Sequence, residues 1–247
     1  MRTIAIGDIH GCSVSLNILL GVIDPQPDDT IIALGDYTDR GPDSKAVIER
    51  LIALKEQCTF IPILGNHELM LMRALGGKDD LKSWLYHGGM QTLRSYGWDG
   101  WSVEDGATVT PDTVKRLIPY RHMHFIAECA AYHEDDKHIF VHANYEPDTP
   151  LESQTENAQF WHHIRPGDIP PPHSSGKTVW VGHSPQSSGN IWDLGHVVCI
   201  DTYAFHPERG GWLTAIDVNS REIWQANEFG NLRGLEEHNA ETSDNNK

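Results

Sequence analysis

Through the first third of the chain, short β-branched runs alternate with segments whose apolar residues recur at helical spacing. Strands are expected at residues 3–6, 30–34 and 59–64. Between the first two, Val14, Leu16, Leu19 and Leu20 make one apolar helix face; between the second and third, Val47, Ile48, Leu51, Ile52 and Leu54 make another, opened by Pro42-Asp43-Ser44 as a cap. This is a βαβαβ pattern. Its parallel strands deliver their carboxyl ends to one edge, where open α/β sheets hold their ligands. Pro62 argues against a central position for the third strand, because proline removes a ladder hydrogen bond.

From residue 68 to about 121 the pattern is mostly helical, broken at Gly76-Gly77, Gly88-Gly89 and Gly97, and it carries Trp84, Trp98 and Trp101. It reads as a helical insertion over about residues 73–120, its tryptophans belonging to the core. Strand character returns at 124–132 and 138–143, joined as a hairpin across 134–137, and again at 178–181, 197–200, 212–218 and 222–225. The last two form a hairpin across Asn219-Ser220, and residues 165–172 are loop by composition. One domain over residues 1–232 and a polar, acidic, disordered tail over 233–247 are expected, with no internal repeat.

Composition narrows the class of protein. With 39% hydrophobic and 22% charged residues, 247 residues suffice for a folded α/β protein. Lys and Arg total 19 against 35 Asp and Glu, a formal charge of −16, and no basic block is present to grip nucleic-acid phosphates. No apolar run approaches the roughly 20 residues of a membrane span. Met1-Arg2-Thr3-Ile4 leads directly into strand sequence without a secretory apolar core, so a cytoplasmic location is expected. Cys12, Cys58, Cys129 and Cys199 are widely spaced and read as reduced packing thiols, without disulfides.

The strands end in residues that a turn alone does not need. Gly7-Asp8-Ile9-His10-Gly11 follows the first, Gly35-Asp36-Tyr37-Thr38-Asp39-Arg40-Gly41 the second, and Gly65-Asn66-His67-Glu68 the third. Asp8 and His10 could bind one cation, Asp36 could bridge it to a second, and Asn66 offers the second a neutral oxygen. Later strands end at His142 and His183. Nitrogen and oxygen donors without cysteine suit Mn²⁺, Fe, Zn²⁺ or a related ion. Gly-Asp after a strand is ordinary turn chemistry when met once; five such motifs in order are not. Two metals with a bridging carboxylate suit hydrolysis of a phosphate ester.

Taken together, GDIHG, GDYTDRG, GNHE, HAN and GHS resemble the ordered motifs of the phosphoprotein phosphatase family, in its bacterial and phage branch, within the calcineurin-like metallophosphoesterases. The resemblance runs from Thr3 to about Ile216. It implies an α/β sandwich of two mixed β-sheets flanked by helices, with Asp8, His10 and Asp36 on one metal and Asp36, Asn66, His142 and His183 on the other. It implies two divalent ions, manganese first, with iron, zinc or nickel as alternatives. His67 would be the general acid, oriented by Asp39, and Arg40 would grip the phosphate. Three positions depart from the family pattern: Asn144 stands where glycine is usual, Ser184 where threonine is usual, and Trp161 is followed by His162 and His163 where an arginine is expected two residues on. Either Arg165 supplies that second phosphate contact, or His163 substitutes, or one arginine suffices.

The implied activity is removal of phosphate from phosphoserine or phosphothreonine proteins by direct attack of metal-bound hydroxide, with small phosphomonoesters also accepted. Hydrolysis of symmetrical dinucleoside tetraphosphates is the first alternative. Relatives of that kind usually carry Gly-Asn-His-Asp and lack the acid before Arg-Gly-Pro, so Asp39 and Glu68 favour the protein substrate. A metal-binding scaffold without catalysis is the second alternative; a general acid at His67 argues against it.

Overall fold

The computed structural model describes residues 1–100 and 109–234. Trp101 and residues 235–247 of the expected tail lie outside them, whereas the first two residues of that tail, Arg233 and Gly234, belong to a strand. The first sheet is built around β1 (Thr3–Ile6), β2 (Thr30–Ala33) and β3 (Thr59–Pro62), three parallel strands connected through α1 (Ser13–Ile23) and α2 (Ser44–Leu54). Pro62 is tolerated because β3 is an edge strand of this sheet and Pro62 is its last residue. The other side of β1 is taken by β9 (Leu213–Asp217), then β10 (Ile223–Ala226) and β11 (Leu232–Gly234), all antiparallel to their neighbours.

The second sheet has the order β4 (Tyr132–Glu134), β5 (His138–Val141), β6 (Thr178–Val181), β8 (Val197–Cys199) and β7 (Trp192–Asp193). Its three central strands are parallel and both edges antiparallel. Strand alternation divides the core into layers. Ile4 and Ile6 face the helices that cover the first sheet, whereas Ala5 and Ile32 pack against Phe140, Trp180 and Val198 of the second. Ile139, Val141, Val179 and Val181 point away from that interface into a third cluster with Tyr145, Leu151 and Ile164. The expected sandwich of two mixed sheets is what the chain forms.

Between β3 and β4 the described residues form helices: α3 (Asn66–Ala74), α4 (Lys78–Trp84), a π-turn at Leu85–Gly89, α5 (Met90–Ser95), α6 (Pro111–Leu117) and α7 (Tyr120–Ala127). The strand expected at 124–132 is not there. Its first part is the end of α7, whose buried His122, Phe125 and Ile126 recur at helical spacing after Pro119; beyond it Ala130 makes an isolated bridge with Ile63, and Tyr132 alone enters a regular strand. The hairpin survives with a shorter first arm, β4, its turn held by Asp135 Oδ1 accepting the N–H groups of Lys137 and His138, each at 2.7 Å. A short helix, α8 (Glu156–Phe160), precedes the loop leading to β6.

At the opposite end of the first sheet from its ligand edge, Asp29 ties β1 to β2. Its carboxylate accepts the Arg2 backbone N–H at 2.9 Å, Arg2 Nε at 3.1 Å and the Gln26 N–H at 3.0 Å. The Arg2 hydrogen bond outweighs burial and holds this carboxyl well below the usual carboxylate range. A depressed folded-state pKa gives stability that is present above the unfolded value near 3.9 and lost as pH falls below it. Asp29→Asn is therefore expected to cost about 1–3 kcal/mol at pH 7. In urea unfolding the gap from wild type should shrink at pH 3; a gap that is constant between the two pH values would contradict this account.

Candidate metal and phosphate site

The carboxyl ends of β1, β2, β3, β5 and β6 meet at one edge of the sandwich, and each sends its polar residue there. Asp36 lies at the centre. It is 2% exposed, with His10 Nε2 at 3.4 Å from Oδ2 and His142 Nε2 at 3.4 Å from Oδ1. Two groups of donor atoms lie within 4.8 Å of one another: His10, Asp36 and His67 in one, Asp36, His142 and His183 in the other. Asp36 belongs to both. The Asn66 amide faces His142 Nε2 at 3.0 Å, and His183 Nδ1 and both Asp36 oxygens at 3.2 Å.

The backbone dictates which ring nitrogen faces inward. His10 Nδ1 meets Thr38 O at 3.0 Å, His142 Nδ1 meets Leu34 O at 2.7 Å and His183 Nε2 meets Trp161 O at 3.2 Å. Each contact uses one nitrogen as donor and leaves the other with a lone pair toward Asp36, the arrangement that metal-ligating histidines adopt. Burial lowers the pKa of His10 and His142, and brings His183 down to about 2. Asp36 responds oppositely: burial would raise it, but His142, His67, His10 and His183 together hold it well below the usual range. Three neutral imidazoles, His10, His142 and His183, around one carboxylate, with the Asn66 amide beside them, fit a divalent cation.

Asp8 stands apart from both groups. Both its oxygens accept the His183 N–H, at 3.1 and 3.0 Å, and burial, followed by Asp201 and Asp36, pushes its carboxyl well up. Gly182 is required here, since a Cβ on it would fall 1.9 Å from Asp8 Oδ1. Asp201 was not anticipated from sequence, yet it obeys the same pattern as the other site residues, an aspartate directly after the β-branched run that ends β8. Burial raises its carboxyl to about 7.

His67 opens α3 and behaves differently from the other three rings. Nδ1 lies 2.7 Å from Asp39 Oδ2, leaving Nε2 toward Asp36 at 3.9 Å. Burial works against the charged form, but Asp36 and the Asp39 hydrogen bond outweigh it and the imidazolium is favoured. Asp39 is itself held by the insertion: Trp84 Nε1 donates to its Oδ2 at 2.9 Å and Thr92 Oγ1 to its Oδ1 at 2.6 Å. Trp84 is thus core, as expected, and also a hydrogen-bond donor to the site. The helices between β3 and β4 accordingly orient the acid that orients His67.

Glu68 has a structural task. Its carboxylate accepts the backbone N–H groups of Asp36, Tyr37 and Thr38 at 2.9 to 3.0 Å, and the Thr38 hydroxyl at 2.9 Å. It shapes the turn in which Asp36, Asp39 and Arg40 take left-handed backbone angles of 51°, 72° and 67°. Gly65 allows this approach, because a Cβ on it would lie 2.2 Å from the Asp36 nitrogen. Behind the site, Cys12 Sγ points at His10 O at 3.6 Å, and Cys199 Sγ at Ser184 O at 3.3 Å and Gly182 O at 3.6 Å. All four cysteines are free thiols.

Arg40, His67, Asp36, Asn66 and His183 border one cavity of about 210 Å³. Arg40 Nη1 lies 2.9 Å from His10 Nε2, and its guanidinium covers the Phe205 ring at 4.7 Å. Arg165 is elsewhere: it is exposed and lines the neighbouring cavity, whereas His163 stacks on His183 at 4.1 Å and borders the central one. Among the described residues no helix is long and apolar enough to cross a membrane.

Comparison with known proteins agrees with this geometry. Residues 1–208 match the profile of the calcineurin-like phosphoesterases. A symmetrical bis(5'-nucleosyl)-tetraphosphatase of Acidovorax sp. (strain JS42) is 35% identical over a stretch that covers 35% of this chain and 37% of the relative, so the similarity spans well under half of that enzyme. A crystal structure of a candidate diadenosine tetraphosphatase superposes with a TM-score of 0.63 at 21% identity, covering 91% of this chain and 92% of that one. A cold-active protein-tyrosine phosphatase from a psychrophilic Shewanella superposes at 0.59 with 14% identity, covering 95% of this chain and 80% of that one. At such identities the superpositions show a shared fold.

Proposed function

Since the chain belongs to the calcineurin-like phosphoesterase family, we propose that it hydrolyses symmetrical dinucleoside polyphosphates in a reaction that depends on two divalent metals. The observation that carries the hydrolytic part is Asp36, shared between two groups of donors on the wall of the cavity that also presents His67 and Arg40. On this reading Asp8, His10 and Asp36 hold one ion and Asp36, Asn66, His142 and His183 the other. Two such ions would supply an acidified water and neutralise charge on the phosphoryl group. Manganese is the first metal to test, with iron, zinc and nickel beside it.

The protein's own residues do the rest. Arg40 offers a planar, permanently charged fork to the phosphoryl oxygens once it leaves His10. His67 carries a proton on Nε2 toward the cavity, held in direction by Asp39, and gives it to the departing oxygen as the bond to phosphorus breaks. Arg165, as placed, would meet a more distant part of the substrate.

The sequence favoured phosphoserine and phosphothreonine because of Asp39 and Glu68. In the structure Glu68 braces the turn after β2 and Asp39 orients His67, tasks that any phosphoester substrate would require. Neither residue therefore argues for a protein substrate, and the partial similarity to symmetrical tetraphosphatases tips the choice to the dinucleotide. Manganese-loaded protein should cleave diadenosine tetraphosphate to ADP with kcat/KM at least tenfold above that for a phosphoserine peptide. The reverse preference would return the protein substrate to first place, and no turnover of either with any of the four metals would favour a scaffold.

A further inference from the structure

The central cavity, at about 210 Å³, is smaller than the roughly 300–1,000 Å³ that encloses a whole small ligand. It can seat the phosphoryl group under attack, and the remainder of a larger substrate must extend beyond it. A second cavity of about 540 Å³ adjoins it across His163 and Pro185, which border both. Its wall includes Arg165, Ser184, Gln186 and Trp192.

Two features of that wall point to a ligand. Arg165 projects from a tight turn closed by the Asp168 N–H donating to its carbonyl at 2.9 Å, so the root of the guanidinium is fixed while its charge remains exposed. Trp192, on β7, lines the same cavity, partly exposed and partly packed against the third core cluster. A permanent planar cation pairs with phosphate oxygens, and an indole face stacks on a nucleobase whatever its identity. An extended peptide would look instead for backbone partners along a strand edge, but β7, the edge strand here, is two residues long.

We propose that this cavity is a nucleotide subsite of the same active centre, with Trp192 stacking on the base and Arg165 pairing with a phosphate next to the one attacked. The substrate it completes is the dinucleotide of the reading above. The subsite makes its own demand, however: nucleotide affinity must depend on Trp192 whether or not a dinucleotide is cleaved.

The test is calorimetric titration of the manganese-loaded full chain with ADP and, separately, with inorganic pyrophosphate. Trp192→Ala should weaken ADP about tenfold or more and leave pyrophosphate within twofold, Trp192→Phe should retain most of the ADP affinity, and Arg165→Ala should weaken both ligands. The subsite is overturned if the wild type does not bind ADP, if Trp192→Ala binds it as well as the wild type does, or if the alanine and phenylalanine variants lose equally. Should ADP follow the expected pattern while diadenosine tetraphosphate stays intact, the subsite stands and the dinucleotide reading falls. Cleavage of the dinucleotide by a protein whose ADP affinity ignores Trp192 has the opposite meaning.

Discussion

Asp36→Asn is expected to empty both metal positions and reduce phosphoester hydrolysis by a factor on the order of 10³ or more. No other residue belongs to both donor groups found among the described residues. An asparagine there would keep an oxygen but lose the charge that balances two cations, and it would leave four imidazoles around a neutral amide. The substitution should spare the fold. Asparagine is among the few residues that readily accept the left-handed angle of 51° found at position 36, and Glu68 would continue to hold the backbone N–H. Metal content after dialysis, measured beside a thermal melt, decides the matter. Two tightly held ions in a folded Asp36→Asn protein would show that the shared carboxylate has been misplaced.

His67→Asn separates acid catalysis from metal binding. The loss should be about 10²–10⁴ in kcat for an alkyl phosphate, whose alkoxide cannot depart without a proton. It should be much smaller for 4-nitrophenyl phosphate or a phosphoanhydride, whose leaving groups are stable anions. Plotting log kcat against leaving-group pKa for wild type and variant tests this, with the variant expected to show the steeper line. Parallel lines would assign His67 to substrate binding. Loss of metal with activity would make it a ligand, a role its membership of one donor group makes worth measuring.

Much of the site was legible because each of its parts obeys one local rule, a polar residue just past a β-branched run. Asp8, Asp36, Asn66, His142 and His183 all follow it, and the structure brings Asp36, Asn66, His142 and His183 together, with Asp8 beside His183 through its backbone. Asp201 follows the same rule after β8 and was passed over because no motif surrounds it. What supports the site is written in no local pattern. Trp84 and Thr92 reach Asp39 across 45 and 53 residues, and Glu68 reaches back 32 residues to the Asp36 N–H. Such pairings depend on how helices pack on sheets, which periodicity does not encode.

The fold was legible where one periodicity dominated, as in β1, β2, α1 and α2. It failed at α7, where Phe125 and Ile126 have strand preference but Phe125 packs against Tyr37 and the first sheet from a helix. β11 was missed because its buried residue is Arg233, whose guanidinium covers the Trp212 ring at 4.6 Å while its Nε donates to Gln225 Oε1 at 2.6 Å. A charged residue filling an inward position breaks the alternation by which strands are recognised.

The two sulfur atoms behind the site give it a particular chemical temperament. Burial pushes the Cys12 and Cys199 thiols well up, so both remain protonated against the carbonyls of His10, Gly182 and Ser184. Peroxide and alkylating reagents attack thiolates, and these offer almost none. Oxidants would therefore spare these two cysteines for as long as the fold holds. Damage at Cys12 and Cys199 would follow only from unfolding, which makes the resistance of these two thiols to iodoacetamide a gauge of how closed the sandwich stays while it works.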